Sequence, residues 1–159
     1  MTTKPKFKPD QYHTVTPYLT VRGAARALEF YGQAFGAKEL FRIDDGAGRV
    51  GHAEFQIGDS IIMLSDEYPE MGSLSPEAHG GTAVSILIYV DDCDAVYDRA
   101  VKAGAHPARP LQNMFYGDRS GTIRDPFGHQ WYISTHIEDV APDELMRRAR
   151  AAMQQTQAA

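Results

Sequence analysis

Residues 18–36, YLTVRGAARALEFYGQAFG, decide the fold because their pattern returns, loosely, at residues 84–104, VSILIYVDDCDAVYDRAVKAG. In the first copy Tyr18-Leu19-Thr20-Val21 reads as a strand, and from about Ala24 the residues Ala27, Leu28, Tyr31 and Phe35 recur at helical spacing. Gly36 ends that helix as a left-handed cap. In the second copy residues 84–90 are a β-branched and apolar run, and Asp91 and Asp92 are cap candidates. Cys93, Val96, Ala100 and Val101 then form the inner face of a helix that stops at Gly104. Strand, helix and glycine at nearly equal spacing make a duplicated unit the simplest explanation.

Working outward, each helix is followed by three strand candidates in the same order. They fall at 39–43, 51–57 and 60–64 in the first half, and at 111–116, 120–124 and 130–135 in the second. Gly58-Asp59 and Pro126-Phe127-Gly128 supply the last turn of each set. The unit is βαβββ, twice. Residues 67–82, with Pro69, Pro76, Gly72, Gly80 and Gly81, form the linker between modules, and the stretch from Asp66 is long enough to act as a lid over a site. A third helix runs from about Pro142 through Arg150, carrying Leu145, Met146 and Ala149. The predicted organisation is therefore a flexible tail at 1–12, one domain at 13–140 with modules at about 13–66 and 83–136, and a C-terminal helix and tail at 141–159.

The chain has 159 residues, 43% of them hydrophobic and 23% charged, which suits a folded soluble body. A net charge of -5 argues against a general nucleic-acid binder, which needs a basic face, and mildly favours a cationic ligand. No stretch approaches the roughly 20 apolar residues of a membrane span, and the basic, polar start lacks the apolar core of a signal peptide. A cytoplasmic location is expected. The single cysteine, Cys93, reads as a small buried apolar residue.

Four segments carry a resemblance. They are Val15-Thr16-Pro17-Tyr18-Leu19-Thr20-Val21; Glu29-Phe30-Tyr31 before Phe35-Gly36-Ala37; Gly58-Asp59-Ser60 before Met63-Leu64-Ser65-Asp66-Glu67; and Asp125-Pro126-Phe127-Gly128-His129 before Trp131. Together with the phased duplication, over about residues 13–140, they resemble the vicinal oxygen chelate superfamily of glyoxalases, bleomycin-resistance proteins and extradiol dioxygenases, in its PhnB-like branch. The resemblance implies an α+β fold in which two βαβββ modules form a curved mixed sheet around a cavity. It also implies a homodimer. Fold does not carry function over, since one scaffold hosts metal enzymes and metal-free binding proteins alike.

In metal-dependent relatives the ligands sit on the first and last strand of each module. Carried over by position, these sites fall on Thr16, Ser85, Met63 (Ile62 with a one-residue slip) and Tyr132. A divalent metal needs several converging His, carboxylate or thiolate donors, so no metal is expected at these positions. Tyr18, together with Thr16, Met63, Ser85 and Tyr132, would instead line an aromatic, hydroxyl-bearing pocket for a small organic molecule. His52 and Glu54 alternate with Ala53, Phe55 and Ile57, so they share the face turned away from the helix. A histidine beside a carboxylate is the best acid–base candidate. His13 and His136, at strand ends, are either extra ligands or solvated residues. Phe115, Tyr116 and Arg119 belong to a segment that, in this branch, resembles a cavity mouth. Arg119 and Arg124 would either clamp an anion or pair with Asp118 and Asp125. Two functions stay open: a metal-free protein that sequesters a small aromatic or cationic molecule, and a glyoxalase-like lyase or isomerase using His52 and Glu54 or a rearranged metal site.

Overall fold

Alternation and helical spacing translate into eight strands and three helices in the computed structural model, which describes residues 4–157. In chain order these are β1 (Tyr18–Val21), α1 (Ala24–Phe35), β2 (Lys38–Asp44), β3 (Val50–Ile57), β4 (Ser60–Asp66), β5 (Ser85–Tyr89), α2 (Cys93–Lys102), β6 (His106–Asn113), β7 (Asp118–Arg124), β8 (Gln130–His136) and α3 (Pro142–Gln157). This is the α+β plan of two βαβββ modules with a C-terminal helix. Each module has its own four-stranded sheet, ordered β1-β4-β3-β2 in the first and β5-β8-β7-β6 in the second. The first and last strands of each module pair in parallel and the others antiparallel. Among the described residues no helix is long and apolar enough to cross a membrane.

The first compact unit runs to Thr82 and takes in Pro126–Gly128. Its core is aromatic: Tyr31 of α1 stacks on Phe55 of β3 at 4.9 Å between ring centroids, and Phe30 meets the Phe127 ring edge-on at 6.1 Å. Gly36 closes α1 at φ 67°, donating its N–H to Gly32, as the sequence pattern requires. At the other end Gly23 has no side chain to cap the helix, and Asp66 substitutes for one. Its carboxylate accepts the N–H groups of Gly23 and Ala24 at 2.8 Å each and that of Val50 at 2.7 Å. The linker after β4, the stretch read as long enough to act as a lid, is folded and tied down. Two short 3₁₀ turns, Pro69–Met71 and Pro76–His79, fold it back, and Glu67 holds the buried Ser75 through N–H and hydroxyl at 2.7 and 2.5 Å.

The second unit holds Ala83–Asp125 and the chain from His129 on. Asp92 caps α2 by accepting the Ala95 N–H, as expected, and Cys93, Val96 and Ala100 are buried. Trp131 and Ile133 of β8 are fully enclosed, and the Trp131 indole donates to Asp125 at 2.8 Å. Two elements differ in extent from the sequence reading. The strand expected at 111–116 is β6, beginning at His106; it takes in Pro107 and Pro110, which an edge strand tolerates. Residues 114–117 turn instead, closed by the Gly117 N–H on Met114. Helix α3 extends past Arg150 to Gln157. At the other terminus Tyr12, assigned to the flexible tail, is half-buried with its hydroxyl on Glu54 at 2.6 Å.

Candidate functional site

In a sheet, residues in register across neighbouring strands share a face. On the first sheet the face away from α1 carries a continuous row, Tyr18 of β1, Met63 of β4, Glu54 of β3 and Phe41 of β2. Tyr18 and Phe41 are about half exposed, while Glu54 between them is only 4% exposed. His52 lies one step along β3 on the same face. Its Nδ1 is 2.9 Å from the Tyr18 hydroxyl and its Nε2 is 3.3 Å from Glu54 Oε1. The Tyr18 and Phe41 rings flank the imidazole at 5.5 and 5.7 Å. Glu54 Oε1 also accepts the Tyr12 hydroxyl, and this charge-assisted bond raises the Tyr12 pKa above the ordinary tyrosine value. Tyr18, His52, Glu54 and Tyr12 thus form one polar chain beside open aromatic surface, and Met63 sits within it. Of the sequence-predicted set, Thr16 lies ahead of β1, with its hydroxyl on the His13 carbonyl at 3.2 Å. His13 is also outside the chain of contacts, with Nε2 against the Asp59 carbonyl.

The second sheet repeats the row with different chemistry: Leu87 of β5, Tyr132 of β8, Thr122 of β7 and Arg109 of β6. The Arg109 guanidinium lies 5.3 Å from the centre of the Tyr132 ring. Ser85, at the start of β5, accepts the Gln130 side-chain amide at 2.8 Å. His136 ends β8 between two carboxylates, Nδ1 on Asp118 and Nε2 on Asp139, both at 2.8 Å. Its hydrogen bond to Asp139, then that to Asp118, raises its pKa above the usual histidine value. The buried Asp118 also accepts the Tyr89 hydroxyl at 2.9 Å. Phe115 and Tyr116 pack edge-on in the turn before β7, at 5.3 Å.

Arg119 needs correction. It pairs with neither Asp118 nor a free site; Nε and Nη2 fork onto Asp94 of α2 at 2.7 Å each, with Nη1 on Asn113 at 3.2 Å. Asp118 and Asp125 are committed to Tyr89, His136, His129 and Trp131 instead. Sequence reasoning also missed Phe41, Tyr12 and Arg109. Phe41 was findable from the period-2 pattern of β2 once paired with β3. Arg109 was not, because the strand was started two residues after it.

The four positions at which the fold family places metal ligands do not fit an ion here. Thr16 and Ser85 offer neutral hydroxyls, one of them donating to a carbonyl and the other accepting from an amide. Met63 offers a thioether, and Tyr132 has a permanent cation against its ring. Among the described residues no three His, Cys, Asp or Glu side chains are grouped to hold a metal.

Comparison with known proteins agrees with this architecture. The sequence profile of the Glyoxalase/Bleomycin resistance protein/Dioxygenase superfamily matches residues 11–133. An uncharacterized protein of Mycobacterium bovis is 40% identical over 134 residues, covering 82% of this chain and 88% of that protein. Among solved structures, TioX from Micromonospora sp. ML1 superimposes with a TM-score of 0.61 at 29% identity, over 77% of this chain and 97% of TioX. A PhnB protein from Bacillus cereus shares the fold, with a TM-score of 0.59 at 21% identity over 77% and 99% of the two chains. With the repeat, a four-stranded mixed sheet in each module and a profile match across most of its length, the chain belongs to the glyoxalase/bleomycin resistance protein/dioxygenase superfamily.

Proposed function

We propose that the protein binds a small aromatic organic molecule, without a metal at the family's ligand positions, and works as a cytoplasmic homodimer. The observation that carries this reading is the row Tyr18–Met63–Glu54–Phe41 with His52 beside it. Half-exposed rings supply apolar area for affinity, and the hydroxyl, imidazole and carboxylate fix orientation. Exposed Leu40 and Ile43 of β2, and Leu87 and Tyr89 of β5, are surface that a second copy would cover. Cys93, buried and free, suits a reducing compartment.

Native mass spectrometry of protein purified from its host without metal affinity tests the reading, because it weighs oligomer, metal and bound molecule together. A metal-free dimer with an organic adduct that Tyr18→Ala and Phe41→Ala lose is the expected result. One metal per site, or a monomer with no adduct, overturns it.

A second reading, acid–base catalysis, is favoured by the chain Tyr18–His52–Glu54. A carboxylate that holds an imidazole in one orientation is an arrangement general bases use. Once a substrate is identified, His52→Ala should cost at least a hundredfold in kcat/KM if His52 moves the proton. Unchanged turnover removes the role.

A further inference from the structure

Both hydrogen bonds that Glu54 accepts, from the Tyr12 hydroxyl at 2.6 Å and from the His52 imidazole at 3.3 Å, end on Oε1. Oε2 has no partner among the described residues, and it still reaches the surface: the unpartnered side-chain atoms that protein encloses there are two nitrogens of Arg109. A carboxylate taken this far out of water is ordinarily matched by a cation, because its charge is costly to bury alone. No Lys or Arg side chain among the described residues pairs with Glu54. The ammonium of Lys8, near Tyr12, is bonded instead to the Pro9 and Tyr12 carbonyls, at 3.2 and 2.6 Å. Glu54 thus sits low in a row whose outer members, Tyr18 and Phe41, stand half exposed, with one oxygen unspent.

The hydrogen bonds around it run one way. A carboxylate only accepts, so Nε2 of His52 carries the proton that faces it. In the neutral ring Nδ1 is then a lone pair, and the Tyr18 hydroxyl donates to it at 2.9 Å. Tyr12 likewise gives its proton to Oε1. With the donors turned inward, the row holds out acceptors: Glu54 Oε2 and the remaining lone pair of the Tyr18 oxygen. The Tyr18 and Phe41 rings on either side of His52 add the negative faces of their π systems. Such a surface suits a cation that carries N–H groups and offers an anion nothing to bind. The net charge of -5 attracts the same sign of ligand from a distance.

We infer that the open face of the first sheet takes an organic amine, whose ammonium group donates to Glu54 Oε2 and the Tyr18 oxygen while its apolar part lies against Phe41. The inference rests on the small-molecule reading of this site and narrows it to a cationic ligand class.

Calorimetric titration with benzylamine, benzyl alcohol and sodium benzoate at neutral pH and constant ionic strength tests it, since the three probes share a ring and differ in charge. Benzylamine should bind at least tenfold more tightly than benzyl alcohol, the worth of one hydrogen bond to a charged group, and benzoate not measurably. Glu54→Gln keeps the shape and removes the charge, so it should bring benzylamine down to the affinity of benzyl alcohol. Should that variant fail to fold, NMR of the side-chain carboxyl groups in the parent protein serves: the Glu54 resonance should move with benzylamine and stay with benzyl alcohol. Equal affinity for benzylamine and benzyl alcohol, no binding of benzylamine, a preference that survives Glu54→Gln, or a Glu54 resonance indifferent to benzylamine overturns the inference. An organic adduct that Tyr18→Ala and Phe41→Ala lose in the native spectra, alongside any of these results, would leave the small-molecule reading standing; its absence would remove both.

Discussion

The Asp66 carboxylate accepts the backbone N–H of Ala24 at 2.8 Å, so the end of β4 caps the start of a helix 42 residues earlier. The second module makes the same connection across the same 42 residues, with the Thr135 hydroxyl accepting the Cys93 N–H at 2.9 Å. The chain thus locks each helix to the parallel strand pair beneath it, satisfying donors that the helix leaves open. Asp66 bears more of the load than Thr135, because it is buried and ionisable and also accepts from Gly23 and Val50.

From this difference, Asp66→Ala should destabilise the fold by about 3 kcal/mol, through the loss of hydrogen bonds to a charged acceptor and the orphaning of buried N–H groups. Thr135→Ala should cost only about 1 kcal/mol, one neutral bond's worth. Urea unfolding midpoints measured side by side check the ordering; equal losses would mean the two caps are not graded by charge.

The module plan was legible because helices and strands bury opposite periodicities, and because Gly36 and Gly104 punctuate both copies alike. The long-range caps were not. Nothing in the segment around Asp66 marks it as the cap of a helix that begins at Ala24, because the link is made by folding and not by local spacing. His52 and Glu54 were found as a pair from alternation alone, since i and i+2 on a strand must share a face. Their partners Tyr18 and Phe41 come from other strands, and only register brings them there. Arg119 misled for the converse reason: flanking Asp118 suggested a pair, yet neighbours on a strand point to opposite faces, and the fork reached Asp94 on α2 instead.

Glu67 predicts an acid response of the linker. Hydrogen bonds from Ser75 and the Arg22 guanidinium hold its carboxyl down to about 2, below the ordinary 4.5. A depressed carboxyl stabilises the fold fully above its unfolded pKa and loses that contribution as pH falls through the folded value. The difference in melting temperature between the parent protein and Glu67→Gln should therefore be constant from pH 7 to about 5 and shrink toward pH 2. A difference that stays flat down to pH 2 would contradict the Ser75 and Arg22 clamp.

His136 has the opposite sign. Its pKa is raised by Asp139 and Asp118, so its stabilising charge is fully present below about 6.5 and is lost as pH climbs through the higher, folded value. His136→Asn should lower the melting temperature at pH 6 and have little effect at pH 9. An NMR titration of the His136 ring should give a midpoint above 6.5 in the parent and a lower one in Asp139→Asn. A midpoint at or below 6.5 in the parent would show that the two carboxylates do not hold the imidazolium.

Two glycines separate the cost of a backbone conformation from the cost of a collision. Gly36 and Gly117 both have positive φ, 67° and 97°. A methyl group on Gly36 would meet nothing within 4 Å, so Gly36→Ala pays only for the left-handed conformation, about 1 kcal/mol. A methyl on Gly117 would collide with the Glu138 backbone oxygen and meet the Val140 side chain at 3.0 Å. That oxygen has little freedom to retreat, because the Ile137 and Glu138 N–H groups are both bonded to the Gly117 carbonyl. Gly117→Ala should therefore cost about 3 kcal/mol or more, and should disturb the turn that carries Phe115 and Tyr116. Chemical denaturation of the two variants gives the comparison, and equal losses would mean that residues 137–140 yield to the added methyl group.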